Sequence, residues 1–283
     1  MQKSNTNELS VAQSTKAFAG DVSIGVLSGL SFAGIAEQVV VARLRDFVFG
    51  LLQDICRQSR KKRWAEKSAL NIFHLDQIEQ LCLGPCRFLC LVRHPLDVVC
   101  SLKELTDKME MYVAELHRYI RQYPAPLEAF AHAWVDRHAR LRRFVSDHPA
   151  DCLLLKYEDL VHHPAAELQR VFAFLGEPAD VPAVLARALY DTEAIGLGDW
   201  KTYERRAIHT ESVERWRHLS PSALQRLVHI LAAEMELAGY PPIATAVSSQ
   251  PEVARRQYEL GLLVTHMRSE TQEAGKARVT DRP

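Results

Sequence analysis

Two short apolar runs constrain the fold more than any other feature: CRFLCLVR (86–93) and DCLLLKYEDL (151–160). Neither alternates polar with apolar residues, so each reads as a strand buried on both faces, the pattern of a parallel sheet and not of a hairpin. Roughly sixty residues lie between them, more than the dozen or so that a parallel crossover requires. The flanking chain is helical in period. Residues 127–146 (LEAFAHAWVDRHARLRRFVS) form an amphipathic helix pattern, and 164–176 read as a helix closed by Gly176. Ser220 and Pro221 cap and open a helix to about Ala238, stopped by Gly239 and Pro241. One long, partly buried helix is expected from Phe32 to Gln58, and a short one around His74 to Leu83 before the Gly84-Pro85 break. Strands alternating with helices predict an α/β fold with a three-layer parallel sheet flanked by helices. Sheets of this kind commonly hold about five strands, and only two strong ones are visible here.

Composition adds limits. Lys plus Arg and Asp plus Glu each total 35 in 283 residues, so the net charge is zero and gives no general attraction to nucleic acid or a membrane surface. Any anion site must be local. Six cysteines (56, 82, 86, 90, 100, 152) sit mostly in apolar runs without the spacing of a disulfide framework, which predicts reduced core thiols in a cytoplasmic protein. A zinc site on Cys82, Cys86 and Cys90 is disfavoured, because Pro85 interrupts any helix that would align them. Residues 22–36 are apolar but broken by Gly and Ser and too short to span a bilayer, and are expected to form a loop leading into a helix. The basic run around Arg57, Arg60, Lys61, Lys62, Arg63 and Lys67 reads as a solvated helix end. The expected organisation is a flexible segment (1–25), one domain (26–242) and an appendage (243–283).

Ligands of open α/β sheets bind beyond the carboxyl ends of strands, and Arg93 stands at such an end. A strand-terminal arginine, a helix started by Pro95, and Ser101 eight places on can together form a phosphate pocket. The competing reading is an arginine paired with Asp97 or Asp159 at the sheet edge. In KYEDL, Tyr157 offers an aromatic face or hydroxyl to a base, and Glu158 and Asp159 are placed to cap the next turn.

These segments resemble the sulfotransferases that use 3′-phosphoadenosine 5′-phosphosulfate (PAPS). LVRHPLDVVCSL is similar to that family's 3′-phosphate segment, and LLLKYEDLVHHPAAELQRVFAFLGEP to its next strand with the YEDL and FLG blocks. RWAEKSALN is similar to the Glu-Lys-Ser/Thr-Pro segment, with Ala69 where proline is common, and GLGDWKTYERRAIHTESVERWRHLS to the late Gly-Asp-Trp-Lys region. The blocks keep the family order from about Trp64 to Tyr240. The resemblance implies a P-loop NTPase-like sulfotransferase fold, with PAPS as co-substrate, no metal, and an unidentified small-molecule or polymer acceptor. It implies Arg93, Ser101, Tyr157, Trp200 and Lys201 as nucleotide contacts and Lys67 against the transferring sulfuryl group. Glu66, His74 and His209 are the candidates for the general base.

The sequence departs from the family in two places. No phosphate loop after an N-terminal strand is legible, so that strand and loop are expected to be missing or replaced. Glu193, Ala194 and Ile195 stand where Arg-Lys-Gly is usual, and a glutamate there repels phosphate. Three alternatives follow: an incomplete version of an active sulfotransferase, an inactive sulfotransferase-like binding or interaction protein, or a chain whose N-terminal helix replaces the lost strand while a partner chain, in a homodimer or otherwise, supplies the missing loop.

Overall fold

The structure is a computed structural model, and it describes residues 29–190 (apart from Ser31) and 208–244. The expectations for 1–25, for Trp200 and Lys201, and for most of the appendage fall outside the described residues. The described helices and strands are α1 (Glu37–Gln58), α2 (Leu75–Cys82), β1 (Phe88–Val92), α3 (Pro95–Met109), α4 (His117–Gln122), α5 (Pro126–Asp147), β2 (Cys152–Lys156), α6 (Tyr157–His162), α7 (Pro164–Leu175), α8 (Val181–Tyr190) and α9 (Pro221–Leu237).

The two apolar runs pair as expected. β1 and β2 are parallel and adjacent, with Phe88 opposite Cys152 and Val92 opposite Lys156. The crossover is helical, through α3, α4 and α5. α5 is the central support: Ala129, Phe130, Ala131 and Phe144 are fully buried, and the small alanines let α3 and α9 approach it closely. Leu96 and Val99 of α3 and Leu227, Leu231 and Met235 of α9 fill the same core. Phe88 meets Phe144 edge to face at 5.1 Å, which fastens β1 to α5.

The second layer of helices is partial. α7 packs on β2, where Leu155 and Val171 are buried apart from the main core. Over β1, Leu89 and Leu91 remain 46% and 51% exposed. The described residues thus form a small parallel sheet of two strands flanked by helices, with a face of β1 left open. Between Gly29 and Arg87 the described residues form helices, turns and loops, with no strand.

Several local readings are sharpened. Ser220 caps α9 through its Oγ, which accepts from the Ala223 amide at 3.3 Å, and Gly176 and Gly239 end their helices with left-handed backbones (φ 66° and 72°). A Cβ on Gly239 would lie 3.2 Å from Lys156 Nζ, so both the backbone and the packing call for glycine. The YEDL tetrapeptide is the first turn of α6 and does not continue the strand. The long N-terminal helix is less buried than its pattern predicts: only Val40 and Cys56 are buried. All six cysteines are free, and burial beside Cys152 pushes the Cys90 thiol up to about 12.

Two outcomes follow from this packing. Gly50 lies inside α1 with open space where a methyl group would sit and no special backbone angle, so Gly50→Ala should stabilise the fold by about 0.5–1 kcal/mol in urea denaturation. The buried His138 donates from Nδ1 to Glu234 at 2.7 Å, beside Arg142 and under the Trp134 ring. Burial lowers its pKa despite the opposing pull of Glu234. The unfolded chain then takes up this proton near pH ~6.5, before the folded one does, so the contribution is complete above that pH and lost as pH falls below it. Unfolding free energy measured between roughly pH 7 and 5 should fall on acidification, and His138→Gln, which keeps a donor but does not titrate, should flatten that slope.

Candidate functional site

β1 ends at Val92, and the next two residues turn the chain into α3. Pro95 suits the first helical position, where no amide is needed. His94 precedes the helix without capping it through its side chain. Its amide instead donates to Glu158 Oε1 at 2.8 Å, and Glu158 Oε2 accepts from the Tyr240 hydroxyl at 3.0 Å. Glu158 thus joins the ends of both strands and the C-terminus of α9, in place of the expected cap on its own turn. Burial and the adjacent carboxylate push the Tyr240 hydroxyl upward, which keeps it a donor.

Asp97, in the first turn of α3, is fully buried. Its two oxygens accept from the amides of Glu214 (2.8 Å) and Trp216 (3.2 Å). On the same α3 face, Glu104 accepts from Arg215 at 2.6 Å. The segment from Ile208 to Leu219 is thereby held along α3, and Ser101, between Asp97 and Glu104 on that face, is half-buried. Trp216 stacks on the His94 ring at 5.7 Å and 15°, while Tyr240 meets its edge at 5.0 Å. Burial lowers the His94 pKa, and its Nδ1 is buried without a hydrogen-bond partner.

Arg93 points into this corner. Its guanidinium lies 4.8 Å from the centre of the Tyr157 ring, and Nη2 donates to the Ser212 carbonyl oxygen. Nε is buried with no acceptor. Pairing with Asp97 or Asp159 is not what holds it: Asp97 is taken up by two backbone amides, and Asp159 is exposed. A buried charged donor left without an acceptor is costly, and an anionic oxygen is the group that would satisfy it best. On Arg93 the unmet donor is this single Nε. Around it, Glu158 and Asp97 already occupy the positive end of α3, and the His94 amide is spoken for.

The other sequence candidates are dispersed. Lys67 is exposed, next to Ser68, whose Oγ caps the 3-10 turn Ala69–Phe73. Glu66 accepts from Asn71 at 2.7 Å, and His74 Nε2 stands 3.5 Å from Glu115. Arg63 ties this stretch to the end of α7 through Leu175 O and Glu177, both at 2.9 Å. His209 lies 3.7 Å from Glu211, on the segment that touches Arg93. His94, Ser212, Trp216 and Tyr240 were not among the expected site residues. No sequence spacing announces them, because Ser212 and Trp216 come from the 208–219 segment and Tyr240 from beyond α9, all more than a hundred residues after β1.

The chain matches the family model described as "Sulfotransferase family" over residues 28–181, more than half its length. This chain belongs to the sulfotransferase family. Similar solved structures include the "Sulfotransferase Domain from the Curacin Biosynthetic Pathway" (19% identity, TM-score 0.49, covering 70% of this chain and 69% of that one). Another is the "Sulfotransferase Domain from the Synechococcus PCC 7002 Olefin Synthase" (24% identity, TM-score 0.47, covering 66% and 62%). Among the described residues no helix of this sulfotransferase-family chain is long and apolar enough to cross a membrane, and no group of three or more metal-ligating side chains is assembled.

Asp97→Asn keeps the size of the side chain but replaces one carboxylate oxygen with an amide that cannot accept. It should cost about 2 kcal/mol in urea denaturation, within the ~1.5–3 kcal/mol range of a hydrogen bond to a charged group. Tryptophan fluorescence of Trp216 should report early release of the 208–219 segment.

Proposed function

We propose that this chain transfers a sulfuryl group from PAPS to a hydroxyl or amine acceptor. Family membership supports sulfuryl transfer in general, and the observation that supports the donor is Arg93: a fork braced by Ser212 and Tyr157, with a buried Nε lacking an acceptor. In this reading Arg93 and Ser101 hold the 3′-phosphate of the nucleotide, with Trp200 and Lys201 as further contacts. The Tyr157 face is occupied by Arg93, so its role is to orient the guanidinium and not to stack on the base.

The reaction is an in-line displacement. The acceptor oxygen or nitrogen bonds to sulfur as the bond from sulfur to the 5′-phosphate oxygen breaks, and the acceptor proton leaves to a base. A sulfate ester carries less charge than a phosphate ester, so a lysine and backbone dipoles can stabilise the transition state. Lys67 is assigned that part. Among Glu66, His74 and His209, His209 is the base candidate whose own segment reaches Arg93. Six free thiols accord with a reducing, cytoplasmic setting.

Titration calorimetry with 3′-phosphoadenosine 5′-phosphate should show binding that weakens at least tenfold in Arg93→Ala, the order expected for losing a charge-assisted pair. Equal heats for the two proteins would reject the phosphate clamp. Incubation with sulfur-labelled PAPS and a panel of hydroxylated acceptors then tests turnover.

A further inference from the structure

The outer face of α1 carries an apolar stripe that the described residues leave uncovered. Leu44, Phe47, Val48, Leu51 and Ile55 are each between 41% and 64% exposed. Their spacing places them within an arc of roughly 100° on the helix, the width of a face made to be buried. The opposite face is already used: Arg45 donates to the carbonyl oxygens of Leu81 (2.7 Å) and Gln80 (2.6 Å), and Phe49 packs against Trp64 at 5.5 Å. The stripe is therefore additional to what fastens α1 to the domain. A membrane surface is a poor occupant. α1 carries three acidic residues (Glu37, Asp46, Asp54) and three basic ones (Arg43, Arg45, Arg57), and the basic run Arg60–Arg63 follows the end of the helix and does not line the stripe, whereas a helix lying on anionic lipid carries cations along its flank.

The charges are arranged for self-recognition. Arg43 and Asp54, both exposed, border the stripe on the same flank and stand nearly equidistant from its middle, and Asp54 also accepts from Arg57 one turn on in its own helix. When two such helices cross antiparallel, Phe47 faces Leu51, Leu44 faces Ile55, and like flanks meet. Arg43 of each copy then lies opposite Asp54 of the other. We infer that α1 is a homodimerisation helix, pairing antiparallel through Leu44, Phe47, Val48, Leu51 and Ile55 with the same face of a second copy of this chain. The interface is isologous, so each favourable contact occurs twice. The Arg43–Asp54 pairs set its direction and register more than its strength.

The full-length chain should sediment at twice 32.0 kDa at micromolar concentration. Phe47→Glu and Leu51→Glu alter exposed positions and should give folded monomers, checked by circular dichroism. Arg43→Asp should weaken the dimer about tenfold by placing like charges together, and Arg43→Asp combined with Asp54→Arg should restore it to within about threefold. A wild-type chain that stays monomeric to 50 µM (on the order of ordinary dimer affinities) overturns the inference. So does a dimer indifferent to Phe47→Glu, or a double charge reversal that fails to restore pairing. If the wild type is monomeric and deleting residues 245–283 raises hydrogen exchange in α1, the occupant is the chain's own tail and the homodimer is rejected.

Discussion

The corner at the end of β1 depends on one buried carboxylate. Asp97 has no exposure to solvent and commits both oxygens to backbone amides of the 208–219 segment, more than a hundred residues away in sequence. A carboxylate taken out of water in this way must be compensated, and two amides together with the N-terminal end of α3 provide that. Once the segment is held there, its other groups are placed as a consequence. Trp216 lands on His94, the Ser212 carbonyl reaches Arg93, and Arg215 closes on Glu104.

Glu158 performs the matching task for the second strand. By accepting from the His94 amide and the Tyr240 hydroxyl it couples the ends of β1, β2 and α9, while Lys156, the last residue of β2, donates to the Gly239 carbonyl at 2.7 Å. Two acidic side chains therefore build the scaffold around Arg93. That division has an electrostatic cost. Negative charge close to Arg93 reduces its pull on a phosphate, so the anion proposed for this corner would have to be recognised by geometry and by the unsatisfied Nε more than by a broad positive field.

Much of the fold was legible. Two unbroken apolar runs with a helical crossover between them were enough for a parallel pair, and Gly176, Gly239, Ser220 and Pro95 marked helix boundaries where the backbone needed those residues. The reading was less successful for α1, whose apolar spacing promised burial but whose stripe faces outward, and for YEDL, which begins a helix. Periodicity reports that a face is apolar. It does not report what covers it.

For the site, the sequence by itself determined the chemistry-bearing ends: Arg93 after a buried strand, Ser101 on the following helix, and the blocks that mark a sulfotransferase-family chain. Those features are local, set by strand length, proline placement and helical spacing within about a dozen residues. Only the tertiary structure decided that Asp97 serves the backbone and not Arg93, that Glu158 fastens two strand ends, and that Ser212, Trp216 and Tyr240 close around His94 and Arg93. The physical reason is that a buried polar group takes whichever partner the packed chain brings within hydrogen-bonding distance, and sequence separation does not enter that choice.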